Sequence, residues 1–185
     1  MGQYQTPGKR SPNWGKGVLY EGMFNRWISS DLVRELDYRR VPYVVLNPEF
    51  RDVSLRTLST RANKIYANNP DVYVLSLHAN AGGGKGIEGF TYFGQSESDL
   101  IANIYLSEFR DDVKLAEPMR LDFSDGDMDK EANYHILRET RCPSVLLELG
   151  FMDTKSDYNK LWSRAYQDRL VQDLANAAEK LFCGV

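Results

Sequence analysis

Residues 72–77, VYVLSL, and residues 144–147, SVLL, are the two most continuous apolar runs of the 185-residue chain. Runs of this length that are rich in β-branched and aliphatic residues are typical of strands covered on both faces of a sheet. The first run leads into His78 and the second into Glu148. We therefore predict two buried strands, each of which carries a chemically reactive side chain toward its carboxyl end.

Four helical patterns surround these strands. The first has apolar residues at every fourth position from Phe24 to Leu36 and ends near Arg39-Arg40. A second begins near Ser54, a third covers 100–109, and the closing one covers 166–181 with a cap near Gly184. Apolar residues at steps of three and four are typical of amphipathic helices.

Two further strands are predicted at 41–46 and 88–93, and loops at 1–20 and 120–130. Strands that alternate with helices favour an α/β fold. We predict a single α/β domain with a mostly parallel twisted sheet flanked by helices on both faces. The chain shows no internal repeat and no linker, so we assign one domain to residues 1–185.

Charge and hydropathy exclude several classes of partner. The formal net charge is −3 and the sequence pI is about 5.5, so a broad basic surface for nucleic acid is not expected. No apolar stretch approaches the roughly 20 residues that span a membrane, and the N-terminus has no apolar core of a signal peptide. The sequence predicts a soluble chain without a membrane span and without a signal peptide.

The histidine and cysteine counts limit the possible metal sites. The two histidines, His78 and His135, exclude a three-histidine zinc site and the H-E-x-x-H motif. The two cysteines, Cys142 and Cys183, are too few for a four-thiolate site, and they do not fix a redox compartment. Any metal site must therefore use carboxylates.

Three residues are candidates for chemistry. In open α/β sheets ligands bind outside the carboxyl ends of the strands, which is where His78 and Glu148 are predicted. Glu148 has apolar neighbours on both sides, and a buried carboxylate requires a cation, a metal or several donors. On these residues alone, His78 could equally be a hydrogen-bonded core histidine, and Glu21 an exposed glutamate in the first turn of a helix.

Five short motifs, taken in order, carry a family resemblance. They are GKRSP at 8–12, EGMFN at 21–25, RDVSL at 51–55, SLHAN at 76–80 and ELGFMD at 148–153. From about Thr6 to the C-terminus the chain resembles the zinc-dependent N-acetylmuramoyl-L-alanine amidases of the amidase_3 type, especially members that are similar to phage endolysins.

The resemblance implies a fold, a metal and a reaction. It places Glu21 and His78 as zinc ligands and Glu148 as the catalytic acid/base. Asn80 is a candidate for orienting the carboxylates or the substrate, and a hydrogen bond within its loop is an equally open alternative. The implied substrate is peptidoglycan, cut at the amide between N-acetylmuramic acid and L-alanine. Zinc lowers the pKa of a bound water to about 7, so hydrolysis needs no protein nucleophile. We expect a monomer that acts at the bacterial cell wall.

The chain departs from this family at its N-terminus. The family's first zinc histidine follows a strand upstream of the GKRSP motif, and this sequence has neither. His135 lies in a different context and is not expected to replace it. We expect an N-terminally incomplete domain with two protein ligands to zinc. Two alternatives stay open, a murein-binding relative without catalysis and a zinc carboxypeptidase that acts on stem peptides. A serine or cysteine hydrolase is disfavoured because a G-x-S-x-G motif is missing.

Overall fold

A computed structural model describes residues 9–49, 51–115 and 117–184. These residues form six helices and four strands. In order they are α1 (Glu21–Arg39), α2 (Leu55–Tyr66), β1 (Val74–Asn80), β2 (Glu88–Thr91), α3 (Glu97–Asp111), β3 (Lys130–Glu131), α4 (His135–Glu139), β4 (Ser144–Phe151), α5 (Lys155–Leu161) and α6 (Arg164–Cys183).

The four strands form one sheet in the order β1-β4-β2-β3. β1 runs parallel to β4, and β2 runs parallel to β3, while β2 and β4 are antiparallel. The two apolar runs that define the fold are thus direct neighbours, with Leu77 opposite Leu147 and His78 opposite Glu148. The predicted α/β domain with a mostly parallel sheet is confirmed.

Alternate residues of β4 enter two separate apolar clusters. Val145 and Leu147 belong to the larger cluster, which the apolar faces of α1, α3 and α6 complete. Leu146, one position away, belongs to the smaller cluster with residues of α2 and α4. Successive side chains of a strand point to opposite faces, so helices cover both faces of the sheet, as predicted.

Local sequence signals set several helix ends. Ser96 caps α3 by accepting a hydrogen bond from the Ser98 backbone N–H. The carboxylate of Asp99 in turn accepts a hydrogen bond from the backbone N–H of Ser96. This reciprocal arrangement satisfies N–H groups that the first turn leaves unpaired. At the other end of the chain, Gly184 takes a left-handed conformation that ends α6, as predicted.

The predicted strand at 41–46 is wrong. These residues pair with no strand in the described part of the chain, and Tyr43, Val44 and Val45 are exposed. Pro42 has no backbone N–H to donate to a sheet, and the segment leaves α1 through Arg40, whose φ is 60°. The β-branched composition of residues 41–46 is therefore not sufficient for pairing with a strand of the sheet.

Three short elements were not predicted, namely α4, α5 and β3. α4 and α5 are five and seven residues long, which is too short for a helical period to show in the sequence. β3 consists of two residues at the end of the predicted loop at 120–130. None of the described helices is both long and apolar enough to cross a membrane.

Candidate active site

Three side chains form a row across one face of the sheet. His78 of β1 lies opposite Glu148 of β4, and Glu148 lies opposite Glu88 of β2. The same face carries Leu146 two residues before Glu148, which packs in the smaller apolar cluster. Side chains opposite each other on neighbouring strands have their Cβ atoms about 5 Å apart. The row therefore brings an imidazole and two carboxyl groups together beyond the edge of that cluster.

Both reactive residues lie inside their strands, because β1 continues to Asn80 and β4 to Phe151. They are nevertheless close to the carboxyl ends of the two parallel strands, as the sequence predicted. The register between β1 and β4 shifts after His78, so that Asn80 lies opposite Phe151.

Glu21 joins this row from the first residue of α1. Its Oε1 lies 2.6 Å from Nδ1 of His78, and its Oε2 lies 3.1 Å from the ammonium of Lys9. The other ring nitrogen of His78, Nε2, lies 2.9 Å from the hydroxyl of Ser76. Burial raises the pKa of Glu21, but the hydrogen bonds and charges of His78 and Lys9 outweigh burial and lower it overall. Glu21 is therefore a buried, ionised carboxylate, unlike the exposed first-turn glutamate that the sequence left open.

Glu148 has the opposite electrostatic character. Its Oε2 is buried and has no hydrogen-bond partner among the described residues. Burial is the largest cause that raises the pKa of Glu148, followed by the negative charges of Glu21 and Glu88, and together they bring it to about 8. A carboxyl whose pKa is raised toward neutrality can both accept and donate a proton, which is the property of a general acid/base.

Glu88 completes the row and was missed in the sequence. It is 4% exposed and forms ion pairs with Arg120, whose Nε lies at 2.6 Å, and with Lys130. Burial raises the pKa of Glu88, whereas hydrogen bonds from the two cations lower it below its ordinary value. The sequence offers one signal for Glu88, its position at the start of a predicted strand. The antiparallel pairing that places Glu88 opposite Glu148 is a tertiary feature that the sequence pattern does not show.

Asn80 donates from its side-chain amide to Oε2 of Glu88 at 2.7 Å. Its Oδ1 accepts from the backbone N–H of Ala81, also at 2.7 Å. The sequence prediction gave Asn80 a role in orienting the carboxylates or the substrate. These two hydrogen bonds place it beside a carboxylate of the row, and substrate contact by Asn80 stays a prediction.

The segment after Glu148 fixes the turn that follows β1. Asp153 accepts hydrogen bonds from the backbone N–H groups of Gly82 and Gly83, at 2.6 and 3.0 Å. The backbone N–H of Met152 donates to the carbonyl of Asn80 at 2.8 Å. The motifs SLHAN and ELGFMD are thus held to each other directly, which keeps His78 and Glu148 in register.

Gly150 has a backbone reason to be glycine. Its φ is +134°, a conformation that side-chain-bearing residues rarely adopt. Beyond it, Asp157 is 2% exposed and accepts from the backbone N–H groups of Phe151 and Gly86, at 3.1 and 2.8 Å. These contacts set the path of β4 just after the catalytic candidate.

His135 does not join the site. It is the first residue of α4, and its Nε2 lies 3.4 Å from the hydroxyl of Ser59 in α2. That His135 does not replace a zinc ligand stays a prediction.

The donor types at Glu21 and His78 suit zinc, which binds imidazole nitrogen and carboxylate oxygen. The unpartnered Oε2 of Glu148 nearby is a further sign that the site accommodates another group. Among the described residues, however, no further side chain of histidine, cysteine, aspartate or glutamate places a ligand atom within 4.8 Å of the donor atoms of both Glu21 and His78. The two residues fit zinc as part of a ligand set, and catalytic zinc sites usually have three protein ligands.

The site thus consists of a buried acid beside a histidine–glutamate pair, on one face of an α/β sheet that helices cover on both sides. The comparisons with known proteins identify the family. The chain belongs to the N-acetylmuramoyl-L-alanine amidase family (Amidase_3), which matches residues 3–180. The resemblance drawn from the five motifs is confirmed.

Named relatives and solved structures agree with this assignment. The chain is 34% identical over 146 residues to the sporulation-specific N-acetylmuramoyl-L-alanine amidase of Bacillus subtilis (strain 168), covering 79% of this chain and 52% of that protein. It is 33% identical over 146 residues to N-acetylmuramoyl-L-alanine amidase CwlM of Bacillus licheniformis, covering 79% and 53%. The chain thus spans about half the length of these curated relatives.

The fold also matches a crystal structure of N-acetylmuramoyl-L-alanine amidase from Clostridium difficile 630. The TM-score is 0.74 at 26% identity, and the match covers 92% of this chain and 90% of that one. The similarity of fold therefore extends over nearly the whole chain.

Proposed function

We propose that the chain hydrolyses the amide bond between N-acetylmuramic acid and L-alanine in peptidoglycan, with zinc as cofactor and Glu148 as general acid/base. The observation that carries the proposal is the environment of Glu148. Its carboxyl combines a raised pKa of about 8 with an unpartnered buried oxygen beside the Glu21–His78 pair. The family assignment supplies the bond and the substrate.

In the proposed reaction, Glu148 in its ionised form accepts a proton from the attacking water. The water oxygen bonds to the amide carbonyl carbon, and Glu148 returns the proton to the nitrogen of L-alanine as the carbon–nitrogen bond breaks. Zinc, when bound, polarises the carbonyl and lowers the pKa of the water, and Glu21 and His78 would hold it. The Ser76 hydroxyl fixes the orientation of the His78 ring through Nε2.

The ion pairs of Glu88 serve the same chemistry. Arg120 and Lys130 keep Glu88 ionised, and its negative charge raises the pKa of Glu148. Glu88 also accepts the side-chain hydrogen bond of Asn80 at 2.7 Å. We therefore assign Glu88 to the tuning of Glu148 and Asn80 to the positioning of this network at the substrate face.

The test measures zinc content and the release of L-alanine-terminated peptides from purified murein. The parent chain, Glu148→Gln and a control variant Glu139→Gln are compared, because Glu139 is an exposed carboxylate on α4. We expect zinc in all three and peptide release from the parent and Glu139→Gln. Equal release by Glu148→Gln and the parent would overturn the role of Glu148. Cleavage within the stem peptide would instead identify a carboxypeptidase.

One observation favours a second function, a murein-binding protein without turnover. The second oxygen of Glu21 already forms an ion pair with Lys9. Among the described residues, Glu21 and His78 are two neighbouring zinc donors, whereas catalytic zinc sites usually have three. This alternative predicts sedimentation of the chain with murein, no zinc, and no peptide release. Release of peptides that disappears on Glu148→Gln would exclude it.

A further inference from the structure

Three aspartates meet on the side of the domain where α3 begins. Asp127 and Asp129 lie in the predicted loop at 120–130, separated by one residue. Asp99 lies in the first turn of α3. Each offers a carboxylate oxygen, and these three oxygens all lie within 4.8 Å of one another. The proposed reaction uses none of these residues.

The three carboxyl groups are buried. Asp129 is 2% exposed, Asp99 6% and Asp127 9%. One oxygen of Asp127 and one of Asp129, Oδ1 in each, is inaccessible and has no hydrogen-bond partner in the described part of the chain. Unpaired buried carboxylate oxygens are costly unless a positive charge or a proton meets them. This pair of orphaned oxygens is the independent sign of a ligand.

The second oxygens are held by donors from two other segments. Oδ2 of Asp129 accepts from the hydroxyl of Thr91 in β2 at 2.7 Å. Oδ2 of Asp127 accepts from the side-chain amide of Gln95 at 3.2 Å, and Oδ2 of Asp99 accepts from the backbone N–H of Ser96. These bonds fix the carboxylates in place, so the cluster is built before any ligand arrives.

The loop that carries two of the aspartates is itself anchored. The backbone N–H of Met128, between them, donates to Oδ1 of Asn103 on α3 at 3.0 Å, and the carbonyl of Met128 accepts from Asp122 N–H at 3.2 Å. The cluster therefore joins three parts of the fold: β2, the start of α3, and the loop before β3.

We propose that Asp99, Asp127 and Asp129 bind one Ca²⁺ ion. The donors are carboxylate oxygens, which hard cations prefer, and the cluster has neither the thiolates nor the imidazoles of a zinc or copper site. Each Ca–O distance is about 2.3–2.6 Å, so three oxygens that lie within 4.8 Å of one another can bind the same ion. The ion would tie the loop to β2 and α3.

A shared proton is the competing occupant. Burial raises the pKa of Asp129 to about 7, and the charges of Asp127 and Asp99 add to this effect, while the hydrogen bond from Thr91 opposes it. Protonation of one carboxyl would relieve part of the repulsion. Calcium titrations should therefore be run at about pH 8, above this pKa, where a proton competes less.

The test is calorimetric titration of the full chain, stripped with EGTA, with CaCl₂ and separately with MgCl₂. Variants Asp127→Asn and Asp129→Asn are compared with Asp125→Asn, an exposed aspartate of the same loop. We expect one Ca²⁺ per chain in the parent and in Asp125→Asn, and a loss of affinity of about tenfold or more in the other two variants.

Thermal unfolding distinguishes lost binding from lost folding. Without calcium, Asp129→Asn should unfold at the parent's temperature or above it, because a buried charge is removed, and only the parent and Asp125→Asn should gain stability when calcium is added. Absence of saturable binding by the parent up to about 10 mM Ca²⁺ would overturn the proposal in favour of the shared proton. Tighter binding of Mg²⁺ than of Ca²⁺, or parent-like affinity in Asp129→Asn, would overturn it as well.

Discussion

Replacement of Glu148 by glutamine should abolish activity and at the same time stabilise the metal-free fold. The pKa of Glu148 is raised from an ordinary 4.5 to about 8. A group whose pKa is raised by folding contributes stability that is fully present below its unfolded pKa. That stability is lost as the pH rises through the folded pKa. The loss therefore falls between about pH 4.5 and pH 8.

The size of the effect follows from the shift. Each pKa unit corresponds to 1.36 kcal/mol, so the shift of Glu148 sets a ceiling of about 5 kcal/mol above pH 8 and about 3 kcal/mol at pH 7. Partial exposure of the residue lowers the expected gain to about 2–4 kcal/mol at pH 9. At pH 5 the gain should be below about 1 kcal/mol, because this pH is only about half a unit above the ordinary pKa of 4.5 that the unfolded chain has.

The assay is urea unfolding of the parent and Glu148→Gln at pH 5 and pH 9 in EDTA, with murein hydrolysis measured on the untreated proteins. Activity should fall by at least about 10²-fold, the usual contribution of a general acid/base. Glu88→Gln is the matched control in the same row, since Glu88 is ion-paired and its pKa is lowered. That variant should lose stability at pH 9, by about 1–3 kcal/mol.

The reasoning fails if the difference in unfolding free energy between Glu148→Gln and the parent is the same at both pH values. It also fails if the variant is the less stable protein at pH 9. Either result would mean that burial and neighbouring charges do not oppose ionisation of Glu148.

Three further substitutions test the site and the fold. His78→Ala should reduce bound zinc by at least about tenfold, measured by elemental analysis after dialysis, and unchanged zinc would remove His78 from the ligand set. Asp157→Ala should cost about 2–3 kcal/mol in urea unfolding, because two backbone N–H groups lose their acceptor; a cost below about 0.5 kcal/mol would contradict this. Leu147→Ala, fully buried between the strands and helices, should cost about 3 kcal/mol, whereas Val44→Ala in the exposed segment after α1 should change stability by less than about 0.5 kcal/mol.

Long periodic elements were predictable because their signal is local. Phe24, Ile28, Leu32 and Leu36, which are spaced four residues apart, all lie in α1, and all four side chains are buried. The apolar runs around His78 and Glu148 became the neighbouring strands β1 and β4. Such patterns show which side chains are apolar and are therefore expected to be buried. This information is contained in the local sequence.

The strand predicted at 41–46 shows the limit of this reasoning. Its composition is typical of a strand, yet a strand also needs a partner for its backbone, and residues 41–46 have none among the described residues. α4 and α5 were not predicted for a different reason. Their five and seven residues form too few turns to show a helical period in the sequence.

The sequence by itself determined the α/β class, the family, and the candidates Glu21, His78, Glu148 and Asn80, because these depend on residue types in order along the chain. Only the tertiary structure decided that Glu88 lies opposite Glu148 and that Lys9 pairs with Glu21. It also brought Asp99 beside two aspartates of a distant loop. Charges interact through space, so the pKa of Glu148 and the affinity of an acidic cluster depend on neighbours that the fold brings together.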